Sequence, residues 1–385
     1  MAHSIYKHFA DLPDPRRAQG KRHCLADMIV LAVCAVICAA DSWSDVVDFS
    51  NAKLKWFKTF LELPHGVPSQ DTFERVFSRL DPDAFEHCFI QWTRVLSGSS
   101  GGQLVAIDGK KIRRSFAHAW NQSAATHLVS AFASANRTIF SQLAVDAKEN
   151  EIVAIPKLLD LLDLQGATVT IDAMGCQKDI AEKIVKSGAN YLLAVKENQP
   201  LLYQKTQALM TEAALDQAKS GKGHSDGVDG KVRYDFSETV EKDHGRIETR
   251  RVWVSDEVEA LKEIAGQWPG LGSVVQVQSV RDVDGKVSSE NRLYISSIKQ
   301  CDAGRMGRIV RGHWGIENQL HYVLDVSFDE DRSRVRKGHA AENFSRIRRI
   351  ALNLLSRETT KKRGIKGKRL NAAWDHDYLL KLLAG

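Results

Sequence analysis

The sequence predicts a mixed α/β protein: an all-helical N-terminal stretch, then a sheet-and-helix core interrupted by a mainly β insertion. Three observations predict it. Residues 1–96 carry apolar segments of helical length separated by Pro-containing breaks. Ser97-Gly98-Ser99-Ser100-Gly101-Gly102 then reads as a linker. Beyond it, short apolar runs alternate with amphipathic segments, the pattern of a sheet covered by helices on both faces.

In chain order, residues 25–40 read as a buried apolar helix. Residues 43–61 read as an amphipathic one, with Val46, Val47, Phe49, Trp56, Phe57 and Phe60 among Lys53, Lys55 and Lys58. Pro64-His65-Gly66-Val67-Pro68 breaks the chain. Ser69 is an N-cap for a helix reaching Leu80, and Asp81-Pro82 stops it before a helix over 84–96. This joint, with Arg75 and Arg79, has the outline of a helix-turn-helix reader, although any helical bundle has such joints. After the linker, residues 104–108 form a strand, and 127–133 and 139–145 a hairpin turning at Ala135-Asn136-Arg137. A helix over 152–162, a strand over 168–172, a helix over 178–187 and a strand over 190–195 come next. The order β, β, β, α, β, α, β is ribonuclease H-like, and the first part of that core spans 103–199. Residues 200–302 read as the mainly β insertion, with strands over 248–254, 273–279 and 292–297 and a hairpin turn at Asp284-Gly285. Gly221–Gly230 reads as a mobile loop. Helix returns near Ala303, so 303–356 complete the core, and 357–385 form a basic C-terminal segment.

Charge is unevenly placed. The net charge is +6, yet residues 332–370 hold 14 Lys/Arg against 2 Asp/Glu. A basic segment on a mildly acidic body points to a polyanion. The six cysteines form no C-x-x-C pair, which argues against structural zinc. The apolar run over 28–40 is shorter than the roughly 20 residues that span a bilayer. The chain therefore reads as cytoplasmic.

Three acids stand out. Asp108 follows the run Gln103-Leu104-Val105-Ala106-Ile107, and Asp172 follows Ala167-Thr168-Val169-Thr170-Ile171. Both end strands that read as buried, where a bare carboxylate is costly without a partner such as a metal ion. Glu317 lies in His313-Trp314-Gly315-Ile316-Glu317-Asn318, on a predicted helix. Taken singly, each has a plainer reading, as a turn, a cap or a surface residue. Together they are suited to holding two Mg²⁺ ions for phosphodiester cleavage, with Mn²⁺ able to substitute. Asp325, Asp329, Glu330 and Asp331 compete for the third place, and Asp146 can support the site from behind.

With these acids in this order, the chain resembles the DDE transposases of bacterial insertion sequences, specifically the ISAs-type group whose relatives include H-repeat-associated proteins of Rhs elements. The resemblance rests on Asp14-Pro15-Arg16-Arg17, Pro68-Ser69-Gln70-Asp71-Thr72-Phe73, Ala106-Ile107-Asp108-Gly109-Lys110 and Thr170-Ile171-Asp172-Ala173-Met174-Gly175. It continues in His244-Gly245-Arg246-Ile247-Glu248, the Glu317 segment and Arg348-Arg349-Ile350-Ala351-Leu352-Asn353. It implies that Asp108, Asp172 and Glu317 are the catalytic and metal-holding triad. It also implies nucleoid DNA as partner, both the element's terminal inverted repeats and target DNA, and a homodimer or larger paired-end assembly. Related cut-and-paste enzymes set Tyr, Arg and Lys around the final Glu; here those places hold Val310, His313 and Leu324.

Candidates for DNA contact are Lys110, Lys111 and Arg113 after the first Asp, Arg246 in the insertion, Arg311, His313 and His321 around Glu317, and Arg348 and Arg349. On a continuous helix His313, Glu317 and His321 share one face. Two other readings stay open: a catalytically silent or domesticated DNA-binding derivative, and a ribonuclease H-like nuclease or resolvase that does not transfer strands.

Overall fold

The computed structural model describes residues 3–97, 102–115, 125–145, 150–228, 231–243 and 245–384. Its helices are α1 (His3–Phe9), α2 (Leu25–Ile37), α3 (Trp43–Ala52), α4 (Leu54–Phe57), α5 (Gln70–Phe77) and α6 (Pro82–Ser97) before the first strand. Then come β1 (Leu104–Lys111), β2 (His127–Ala133), β3 (Thr138–Val145), α7 (Glu151–Leu161), β4 (Thr168–Ile171), α8 (Lys178–Lys186) and β5 (Asn190–Val195). Next are α9 (Pro200–Ser220), β6 (His224–Asp226), β7 (Arg233–Asp243), β8 (Arg246–Ser255), β9 (Ser273–Val283) and β10 (Lys286–Ser296). The chain ends in α10 (Ala303–His313), α11 (Tyr322–Phe328), α12 (Ala340–Arg357), α13 (Ile365–Trp374) and α14 (His376–Ala384). No helix among the described residues is long and apolar enough to cross a membrane.

The element order from β1 to β5 is the one the sequence predicts; before it, α1 is added and the predicted helix over 43–61 is split into α3 and α4. The linker at 98–101 and Asp146 lie outside the described residues. Two compact units result, and neither coincides with a single stretch between sequence-read boundaries. One comprises 1–99, 109–162 and 316–385; the other comprises 100–108 and 163–315. The division cuts β1 between Asp108 and Gly109.

The first unit is a helical body with the β2–β3 hairpin. Every residue of α2 is buried, Asp27 among them; the other twelve are apolar. The Ser42 hydroxyl accepts from the Asp45 N–H while the Asp45 carboxylate accepts from the Ser42 N–H, a capping box that starts α3. Ser69 caps α5 at Thr72 as predicted. Trp43 stacks on Phe73 and Phe77 and meets Phe344 edge-on, which ties α3 and α5 to α12. The C-terminal basic segment is folded as α13 and α14, with Lys368 and Arg369 buried: Arg369 donates to the Val36 carbonyl and lies over Phe328.

The second unit is a sheet in the order β1-β4-β5-β10-β9-β8-β7-β6. β1, β4 and β5 are parallel; β10 pairs antiparallel with β5, and the remaining strands form an antiparallel series. Asp284 and Gly285 both take positive φ in the β9–β10 turn, as the Asp-Gly signal predicts. The insertion departs from the sequence reading in its first half: it opens with the 21-residue helix α9 and adds the strands β6 and β7. Leu202, Thr206, Leu209, Met210 and Ala213 form its buried stripe, Pro200 starts it and left-handed Gly221 ends it. Within the predicted loop after it, His224–Asp226 pair as β6 with β7, while 229 and 230 lie outside the described residues.

Candidate active site

In the second unit, Leu104, Val105, Ala106 and Ile107 of β1 lie opposite Thr168, Val169, Thr170 and Ile171 of β4. The next residue on each strand is an aspartate. The register therefore sets Asp108 beside Asp172 on strands about 4.8 Å apart. Alternation places Leu104, Ala106 and Asp108 on the same face as Thr168, Thr170 and Asp172. Both aspartates are half-buried. Two such carboxylates repel unless a cation or a shared proton relieves them. Asp172 Oδ1 also accepts from the backbone N–H of Met174 (3.1 Å) and Gly175 (3.3 Å), which fixes the strand end in an Asx turn.

α10 covers that same face. Asp302 caps it by accepting from the Arg305 N–H. Met306, Ile309 and Val310 pack among Leu192, Val252, Val254, Val275, Val277 and Tyr294. A Cβ on Gly312 would collide with the Leu104 side chain, so glycine there lets the helix end settle onto β1. His313 Nδ1 stands 2.9 Å from Thr170 Oγ1, two residues before Asp172. Burial, with help from the Arg292 guanidinium, pushes the His313 pKa down to about 4. The imidazole is therefore neutral at neutral pH and acts as a hydrogen-bonding group.

In the first unit, Glu317 is exposed within a π-helical stretch, Ile316–His321, ahead of α11. Such stretches recur at functional sites. The predicted continuous helix with His313, Glu317 and His321 on one face is not formed. α10 ends at His313, and the π turn changes the angular spacing of the residues after it. Burial, then the nearby Lys110 and Arg349 charges, push the His321 pKa down to about 3.

Several predicted DNA contacts are engaged inside this unit. Lys110 is buried and pairs with Asp325 and, at 3.2 Å, with Glu330. Arg349 is fully buried, 3.1 Å from Glu330. Burial alone would raise the Glu330 carboxyl; the Arg349 and Lys110 charges outweigh it and hold it far below its ordinary range. Arg348 is 1% exposed, its guanidinium over the Phe344 ring. Lys110, Arg348 and Arg349 are thus corrected from phosphate contacts to interior cations. The acidic run Asp325–Asp331 supplies their counter-charge, and Asp331 also pairs with the exposed Arg113 at 3.2 Å. Lys111 is exposed. Arg246 and Arg311 are exposed in the second unit and face Glu248 and Glu241. Among the described residues, no group of three His, Cys, Asp or Glu side chains is gathered to hold a metal ion. Within the second unit, the register-matched aspartates are a pair of hard oxygen donors of the kind Mg²⁺ prefers.

The family described as "Transposase DDE domain" matches residues 99–354, and its associated N-terminal family matches residues 6–93. The chain belongs to the DDE transposase family. It is 41% identical over 384 residues to "Putative transposase YncI" of Escherichia coli O157:H7, covering 99% of this chain and 94% of that one. It is 37% identical over 385 residues to "H repeat-associated putative transposase YhhI" of Escherichia coli K12, covering 99% and 98%. A piggyBac transposase synaptic complex with hairpin DNA aligns with a TM-score of 0.43 at 11% identity, over 99% of this chain and 79% of that one.

Two features of this DDE-family chain escaped the sequence reading. His127 Nε2 stands 2.8 Å from Glu151 Oε1, and the two side chains fill the space where a Cβ on Gly109 would stand. A side chain at 109 would have to push aside the Glu151 carboxylate, the far end of a flexible side chain. The second is the Thr170–His313 bond. Its sequence signal was Thr170, one of two threonines in the four-residue strand, two places before the acid.

Proposed function

We propose that this chain cuts DNA at the ends of a mobile element and joins the freed ends to target DNA, with Asp108, Asp172 and Glu317 as catalytic carboxylates. The observation that carries the reading is the parallel register that sets Asp108 beside Asp172. The β1-β2-β3-α7-β4-α8-β5 order supports a ribonuclease H-like core. Asp108 and Asp172, joined by Glu317, are the residues that would hold Mg²⁺ or Mn²⁺. When bound, two such ions activate a water and stabilise the leaving oxygen.

In the first step the water oxygen bonds to phosphorus, the P–O3′ bond breaks, and a 3′-OH and a 5′-phosphate result. In the second, that 3′-OH bonds to a target phosphorus and displaces the target's own 3′ oxygen. Neutral His313, held by Thr170, offers a hydrogen bond near Asp172 without adding charge. Lys111, Arg113, Arg246 and Arg311 are the exposed cations for backbone contact. Two element ends brought together call for a homodimer or larger assembly on DNA.

The test is Mg²⁺-dependent cleavage of a duplex bearing the element's terminal repeat, beside Asp172→Ala. Cuts at the repeat boundary that vanish in the variant support the reading. Equal cleavage by both proteins, or binding without cleavage in Mg²⁺ and Mn²⁺, overturns it.

A further inference from the structure

The motif Arg246-Ile247-Glu248-Thr249-Arg250 has no role in the carboxylate site. Strand alternation puts Arg246, Glu248 and Arg250 on one face of β8 and Ile247 and Arg251 on the other. Arg281 of β9 lies directly opposite Glu248. Glu248 is only 4% exposed, and three guanidiniums converge on it: Arg250 at 2.5 Å, Arg281 at 3.4 Å and Arg246 at 3.5 Å. Arg250 also reaches Glu241 at 3.8 Å, which Arg311 pairs with in turn, so four cations face two carboxylates and leave an excess of positive charge. Arg246 and Arg281 keep 48% and 52% of their side chains exposed. A guanidinium held by a carboxylate on one side can present its remaining N–H donors to a phosphate.

The register shows where this cluster lies. Continuing the β4–β5 pairing one step sets Asp172 level with Ala194, which faces Tyr294, Val275 and Val254 in turn. These residues share the face covered by α10. β10 runs antiparallel to β5, so β7–β10 extend past the strand ends that carry the aspartates. Arg281 lies six residues beyond Val275 and three strands to the side of β4. At strand spacings of about 3.4 Å per residue and 4.8 Å between strands, that is about 25 Å from Asp172 on the same face.

We propose that Arg246, Arg250 and Arg281, ordered by Glu248, bind the DNA backbone about seven base pairs from the scissile bond, at 3.4 Å per base pair. The proposal rests on the DNA-cutting reading of the chain. Its ligand is phosphate in duplex backbone, without base readout. Glu248 acts as an internal template that keeps the guanidiniums ordered before DNA arrives.

The experiment measures binding of the full chain to a 40-base-pair duplex across a salt series, for the unaltered protein, Arg246→Gln/Arg281→Gln and Arg281→Gln alone. The slope of log affinity against log salt is expected to fall by about 2 for the double variant and about 1 for the single one, since each phosphate contact contributes about 0.9. Phosphate ethylation about seven base pairs from the cut should weaken binding of the unaltered protein and not of the double variant. An unchanged slope in a variant that keeps its thermal midpoint overturns the cluster while leaving the function intact. If the double variant fails to fold, the single variant decides by the same criterion. No DNA binding by the unaltered protein overturns the function and the cluster together.

Discussion

Arginines in α12 and arginines on β8 read alike in the sequence, as short basic runs set among apolar residues, yet the fold uses them in opposite ways. In α12, Arg346 is fully buried, 2.6 Å from Glu86 and 3.1 Å from Glu342, and Arg349 is sealed against Glu330. On β8, Arg246 and Arg250 share one carboxylate with Arg281 and remain open to solvent in part. The difference is stoichiometric and dielectric. A buried cation must find an anion or lose its charge, so α12 matches Arg346 and Arg349 with acids, while Arg348 lies against the Phe344 ring. A partly exposed cluster tolerates an excess of charge, and that excess is what can attract a polyanion. Basic composition alone does not separate a fastener from a docking surface.

The contrast breaks first at Arg346. Arg346→Ala leaves Glu86 and Glu342 without their buried cation and is expected to cost about 3–5 kcal/mol in urea unfolding, with the DNA salt slope unchanged. A cost below about 1 kcal/mol would show that these pairs do not fasten α12. Gly109→Ala comes next: the Glu151 carboxylate must swing aside for the methyl, which should cost no more than about 1 kcal/mol, and a second change, Glu151→Ala, should recover it.

The pH response separates interior groups from the exposed arm. His321 and His313 have folded pKa values pushed down to about 3 and about 4, from an ordinary 6.5. Below pH 6.5 the unfolded chain takes up protons that the folded imidazoles refuse. Their contribution is therefore complete above 6.5 and is lost progressively as pH falls toward those folded values. Unfolding free energy measured between pH 7 and 4.5 should decline, and His321→Gln should flatten the decline; an unflattened curve would remove His321 as a source. The smallest effect is expected for Arg251→Gln. Arg251 lies on the opposite face of β8, paired with exposed Glu238. Its loss should change stability by less than about 0.5 kcal/mol and leave the salt slope alone, unlike Arg281→Gln.

Much of the architecture was legible because the relevant signals are local. Ser69, Asp284-Gly285 and the two apolar runs before Asp108 and Asp172 each act within a few residues. Helix α9 was missed because its buried stripe is sparse and its remaining positions polar, and β7 because its sequence is largely charged. The fate of Lys110, Arg348 and Arg349 was not legible at all. It depends on Glu330, whose burial is decided by packing from distant parts of the chain. The face shared by α10 and the aspartates was half legible: the acids were visible, while the glycine at 312 and Thr170 gained meaning only once the helix lay on the sheet.

The π-helical stretch Ile316–His321 makes this part of the chain sensitive to length more than to chemistry. Each residue of an α-helix advances the side-chain direction by about 100°, and the wide π turn already takes up about one extra residue, so adding a further residue to the stretch would rotate all of α11 by that angle. Leu324 and Phe328, now buried, would swing outward, Tyr322 and Val326, now exposed, would turn in, and Asp325 would leave Lys110. Substitutions there can be absorbed singly; a one-codon insertion cannot, because it changes the phase of every residue after it.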